Sequence, residues 1–90
     1  MVRYAGRVSG RVQGVGFRYF VRQRAQRLGI TGWVQNQPDG TVKMELQGPP
    51  DKLAVLQTAL RAGRAPIRVE TLELTEQPLL SGEEGFSIRK

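Results

Sequence analysis

The stretch Gly10–Phe20 reads GRVQGVGFRYF, and the periodicity of the chain changes across it. Upstream, Val2, Tyr4, Gly6, Val8, Gly10 and Val12 share one parity, while Arg3, Ala5, Arg7, Ser9 and Arg11 share the other. That alternation predicts a strand with one buried face. Downstream, from about Arg18 to Leu28, Phe17, Val21, Ala25 and Leu28 fall on one helical stripe with Phe20 beside it. Arg22, Gln23, Gln26 and Arg27 lie outside that stripe, and Gly29 is placed to end the helix. Strand, glycine loop and helix therefore follow one another directly. Arg18 falls in the first helical turn, where free N–H groups already make the helix end partly positive. A cation there is unfavourable by about 0.3–1 kcal/mol.

The rest of the chain continues in the same terms. Ile30–Asn36 predicts a second strand. Gln37-Pro38-Asp39-Gly40 predicts a tight turn, because proline presets φ and Asp-Gly supplies the reversal. Val42, Met44 and Leu46 alternate with Lys43, Glu45 and Gln47 as a third strand. Gly48-Pro49-Pro50-Asp51 opens a second helix, whose stripe is Leu53, Leu56, Ala59 and Leu60 and which ends at Gly63. Ile67–Thr75 is a strand whose apolar parity shifts between Val69 and Leu72, so a bulge is expected near Thr71. Gln77–Gly85 is a loop, and Phe86 and Ile88 supply an optional short fifth strand. The order βαββαβ is the α+β, ferredoxin-like plan: a sandwich of an antiparallel sheet with two helices on one face. Residues 1–90 form one domain.

Composition narrows the chemistry. The chain has no cysteine and no histidine, which removes disulfides, thiol nucleophiles, thiolate metal sites and histidine bases. The absence of cysteine fits a reducing compartment. No apolar secretory segment precedes the first strand and no run approaches membrane-spanning length, so a soluble cytoplasmic protein without a membrane partner is expected. The charge is uneven. Residues 1–38 carry seven arginines and no acid, whereas residues 39–90 carry seven cations and eight acids. The halves therefore hold +7 and −1 of the net +6. Such a basic half suits an anionic partner, a small phosphate or a nucleic acid, and equally suits a solubilising surface.

The topology gives two of these segments a common position. A β-α-β unit makes the first two strands parallel, with the third between them. Their C-terminal ends then share one sheet edge, with the glycine loop at one end and Asn36 at the other. By parity Asn36 shares a face with Val34, the helix side if Val34 is core. In the loop Gln13-Gly14-Val15-Gly16-Phe17-Arg18, glycines allow main-chain N–H groups to turn inward as an anion-binding nest. The helix start adds donors. A bound phosphate would turn the unfavourable position of Arg18 into an attractive one. The same residues also read as a plain strand–helix connection with an arginine reaching into water, and Asn36 as a turn initiator.

Three nucleotide signatures do not fit. Gly14-x-Gly16-x-x-Tyr19 lacks the third glycine of the dinucleotide fingerprint. Gly14–Phe20 departs from the RNA-recognition signature at Val15 and Arg18 and lies in a loop rather than on a sheet. No Gly-Lys-Ser/Thr follows to make a Walker loop.

Two blocks do match a known family. Gly10-Arg11-Val12-Gln13-Gly14-Val15-Gly16-Phe17-Arg18 and Gly32-Trp33-Val34-Gln35-Asn36-Gln37-Pro38-Asp39-Gly40-Thr41-Val42 resemble the signature blocks of acylphosphatases. Length and element order agree over essentially the whole chain. The resemblance implies hydrolysis of the carboxyl–phosphate bond of acyl phosphates without metal or cofactor. It implies that Gln13, Gly14, Val15, Gly16, Phe17 and Arg18 cradle the phosphoryl group, with Arg18 as the phosphate-binding arginine and Asn36 positioning the attacking water. An arginine is frequent in the family where this chain has Gln35. A small-molecule acyl phosphate is the expected partner and a monomer the expected state. Nucleic acid is not the favoured partner. A non-catalytic anion- or nucleic-acid-binding module of the same fold, like the N-terminal part of hydrogenase-maturation carbamoyltransferases, is the alternative.

Overall fold

A computed structural model describes residues 1–90. The elements are β1 (Val2–Arg11), α1 (Phe17–Arg27), β2 (Thr31–Asn36), β3 (Val42–Gly48), α2 (Pro50–Ala62), β4 (Arg68–Gln77) and β5 (Phe86–Arg89). The strands form one sheet in the order β4-β1-β3-β2-β5. The four strands of the ferredoxin-like core pair antiparallel, and β5 joins the outside of β2 in parallel. The fifth strand is thus real, and it makes the sheet mixed at one edge. The C-terminal ends of β1, β2 and β5 all lie at the same edge.

Alternation decides which face is buried. Val8 on β1, Val34 on β2, Val42, Met44 and Leu46 on β3, and Leu72 on β4 point to the helix side and are buried. Phe17, Phe20, Val21 and Ala25 of α1 and Leu53, Leu56 and Leu60 of α2 close that side. Helix α1 lies over β2 and β5, and α2 over β3 and β4.

The parity shift in β4 is resolved as a bulge. Ser9 pairs with Thr71, but Gly10 pairs with Val69, so Glu70 is the extra residue. Gly10 opposite the bulge has φ 123°, and a Cβ there would lie 2.2 Å from the Arg68 carbonyl oxygen. Only glycine lets the two main chains approach this closely.

The open face of the sheet departs from the simple pattern. Arg3 sits on the polar parity of β1 yet is 2% exposed. The segment from Pro78 to Gly85 connects opposite edges of the sheet and covers it. Arg3 Nη1 and Nη2 donate to the Glu83 carboxylate at 2.8 and 3.1 Å, and its Nε donates to Glu45 at 2.9 Å. Gln47 holds the same segment, accepting from Leu80 N–H at 2.9 Å and donating to its carbonyl at 3.0 Å. The Arg3 hydrogen bonds hold the Glu83 carboxyl below its ordinary 4.5, and Glu83 in turn raises Arg3.

Candidate active site

The loop between β1 and α1 is built from alternating backbone signs. Gly14 has φ 72° and Gly16 φ 81°, whereas Val15 between them has negative φ, as does every non-glycine residue. A Cβ on either glycine would meet nothing within 4 Å, so glycine is required here for conformation, not space. Alternation of this kind turns successive N–H groups toward one point. The N–H groups of Gly14, Val15, Gly16, Phe17, Arg18 and Tyr19 donate to no acceptor in the chain. The first helical bond runs from Phe20 N–H to the Gly16 carbonyl at 3.0 Å. Nothing caps this end: Gly16 offers no side chain and the first turn holds no acid. Six free donors beside a helix start form a concentrated region of positive potential.

A cavity of about 220 Å³ opens at this point, lined by Val12, Gly14, Gly16, Phe17, Arg18, Tyr19 and Asn36. Asn36 reaches it because it is the last residue of β2, opposite Val42 on the helix-facing side. Its Oδ1 is buried and has no hydrogen-bond partner in the chain. A buried amide oxygen left unpaired costs about 1–3 kcal/mol, so its presence calls for a ligand or water that donates to it. At about 30 Å³ per oxygen-sized water, a phosphoryl group and one water need roughly 150 Å³, which the cavity accommodates.

The residues picked out from sequence fall into three groups. Gly14, Gly16, Phe17, Arg18 and Asn36 converge on the cavity. Phe17 contributes only main chain to it, since its ring is fully buried in the core. Val15 carries one of the free N–H groups, but its side chain packs against the core margin and lines a neighbouring groove. Gln13 does not reach the wall. Its Nε2 donates to the carbonyls of Gln37 and Thr41, both at 2.8 Å, and so ties the loop to the turn that follows Asn36. That brace, which sets the nest against Asn36, is the contribution sequence reasoning missed.

Arg18 is held lightly. Its Nη1 donates to the Arg89 carbonyl at 3.4 Å, at the C-terminal end of β5, and no carboxylate lies within bridging distance. A contact of that length is weak, so an anion in the nest can draw the guanidinium at little cost. The turn beyond Asn36 is firmer. Asp39 accepts from the Thr41 hydroxyl at 2.6 Å and from Thr41 N–H at 3.0 Å, which holds its carboxyl below the ordinary range. No three His, Cys, Asp or Glu side chains are grouped as a metal site.

A nest of main-chain donors at a helix start, a lightly held guanidinium beside it and a carboxamide from β2, the strand parallel to β1, meet at one end of a ferredoxin-like domain, an arrangement that suits a phosphoryl group. Comparison with known proteins gives the same class a family. A sequence model of the acylphosphatases matches residues 4–88. A curated acylphosphatase of Salinibacter ruber is 47% identical over 98% of this chain and 93% of its own length. The crystal structure of acylphosphatase from Bacillus subtilis superposes with a TM-score of 0.94 at 40% identity, covering 100% of both chains. The fold also recurs in T. kodakarensis HypF at 27% identity and a TM-score of 0.86, where the match spans 12% of that longer chain. The chain belongs to the acylphosphatase family.

Proposed function

We propose that this chain hydrolyses the carboxyl–phosphate bond of acyl phosphates, releasing a carboxylate and inorganic phosphate. The single observation that carries the reading is that Asn36, whose Oδ1 has no hydrogen-bond partner in the chain, lines one cavity together with Arg18 and the glycine loop. In this reading the amides of residues 14–18 take the phosphoryl oxygens and Arg18 binds two of them as a fork. The Asn36 carboxamide hydrogen-bonds a water and aims its oxygen at phosphorus. As the water oxygen bonds to phosphorus, the opposite bond from phosphorus to the bridging acyl oxygen breaks, its electron pair leaves on that oxygen with the carboxylate, and the water's proton passes to phosphate or solvent.

The reaction suits the inventory. A carboxylate leaves readily, so little acid assistance is needed. The loose transition state spreads charge over the equatorial oxygens, where fixed N–H dipoles and one guanidinium act electrostatically. A chain without histidine or cysteine can run this step, and we take it to need no metal or cofactor. Residues 1–90 serve as one acylphosphatase-like domain, acting as a monomer on small acyl phosphates in the cytoplasm. No helix is long and apolar enough to cross a membrane.

The test is phosphate release from benzoyl phosphate in excess chelator, with wild type and the Asn36→Ala and Arg18→Ala variants. Turnover by wild type that both variants lose is the expected result. Stoichiometric phosphate binding without release would replace this reading by that of a binding module.

A further inference from the structure

A second, larger groove of about 510 Å³ adjoins the catalytic cavity, and Gly16 and Tyr19 line both. One wall is a single face of α1, where Tyr19, Arg22, Gln23 and Gln26 stand at spacings of three, four and seven residues. The other wall is the α2–β4 connection from Arg64 to Ile67. Asn36 does not line this groove. In-line displacement sends the leaving group away from the attacking water. The acyl part of a substrate held in the nest, with water at Asn36, therefore points away from Asn36, and this groove adjoins the cavity without Asn36 in its wall.

The groove is cationic and unbalanced. Arg22 and Arg64 are both in its wall, no acid is, and neither arginine has a carboxylate within 4.0 Å. The Arg22 guanidinium rests 5.1 Å from the centre of the Tyr19 ring, which holds it at the junction with the catalytic cavity. The positive field continues past Arg64, where Arg11 and Arg68 stand directly opposite each other on β1 and β4. Like charges facing across a strand pair are destabilising, and an anionic ligand relieves them.

We infer that this groove receives the acyl group, and that Arg22 and Arg64 select acyl phosphates carrying a second anionic group, a carboxylate or a phosphate. The inference rests on the acyl phosphate reading above. Guanidinium forks suit both groups, and the flanking Val15, Phe20, Pro66 and Ile67 suit a short carbon chain between the two anions.

The test compares succinyl phosphate with butyryl phosphate, which have nearly the same length but differ in the charge of the tail. Wild type is expected to favour succinyl phosphate in kcat/KM by about 5- to 10-fold at low ionic strength, the scale of two exposed charge pairs. The preference shrinks as salt is raised. In the Arg22→Gln, Arg64→Gln double variant the ratio falls toward one, with the loss carried by succinyl phosphate. A third probe, 3-phosphonopropanoyl phosphate, distinguishes the tails: both orders relative to succinyl phosphate uphold the inference and name the better-fitting anion. Equal turnover of succinyl and butyryl phosphates by wild type, or a ratio the double variant leaves intact, overturns it while leaving the hydrolase reading standing. Hydrolysis of none of the probes overturns both.

Discussion

The two helices of this domain begin in opposite ways. Helix α2 opens with proline at its first position and Asp51 in its first turn, the arrangement that offsets a positive helix end. Helix α1 opens on a left-handed glycine, has no acid in its first turn, and places Arg18 there instead. Six consecutive N–H groups stay free around it. The two ends are built from the same backbone chemistry, yet one is neutralised by its own sequence and the other is left charged. The difference teaches that the start of α1 is arranged for an outside anion, at a cost in stability that α2 does not bear.

The most forceful way to break the comparison is to give α1 the acid that α2 has. Arg18→Glu removes the phosphate-binding cation and places an anion where phosphate would sit, so turnover should fall by about 10³ or more. The same change should raise folding stability by roughly 1 kcal/mol, which in a domain of this size moves Tm up by several degrees. Steady-state kinetics and thermal unfolding on one sample check both halves. A variant that loses activity and stability together would contradict the contrast.

Asn36→Ala should lower kcat by about 10²–10³. Because Asn36 is assigned to the water and not to the phosphoryl group, inhibition by inorganic phosphate should change little. Removing an amide whose buried oxygen has no partner in the chain should also not lower Tm. Gln13→Ala acts more gently. It releases the loop from the Gln37 and Thr41 carbonyls, and a loss of about 10-fold in kcat/KM is expected from misplacement alone. Phosphate affinity should weaken with it, in contrast to Asn36→Ala.

The smallest effect belongs to the far end of the sheet, where charge is paired rather than left open. Glu83 has its pKa lowered by Arg3, so its folded value lies below its unfolded one. Its contribution is complete above the ordinary carboxylate range and is lost as pH falls through the folded value. Urea midpoints should therefore drop as pH falls below the ordinary carboxylate range, and drop less steeply in Glu83→Gln. A variant with the wild-type slope would show that this ion pair does not govern acid stability.

Much of this arrangement was legible in the sequence because it depends on local rules. Alternation through Val2–Val12, helical spacing after Phe17 and the parity shift before Leu72 are all set by which face meets the core. The bulge, the two helices and the helix-side position of Asn36 follow from them. What was hidden depends on contacts distant in sequence. Arg3 sits on a polar parity, and nothing near it reveals that residues 78–85 will cover it. Gln13 stands in the loop, but its amide works against carbonyls 24 and 28 residues away. The parallel direction of β5 depends on that same covering segment carrying the chain to the far edge. Arg22 and Arg64 line one groove from separate elements, which no spacing rule announces.

The central claim is that the free amides at the start of α1 are the phosphoryl site. The direct measurement is a titration of the ¹⁵N-labelled protein with inorganic phosphate, followed residue by residue through amide resonances. Saturable downfield shifts confined to Gly14–Tyr19, with the start of α2 unmoved, are the predicted result. Shifts centred on α2 or on the outer arginines, with the loop amides silent, would contradict it.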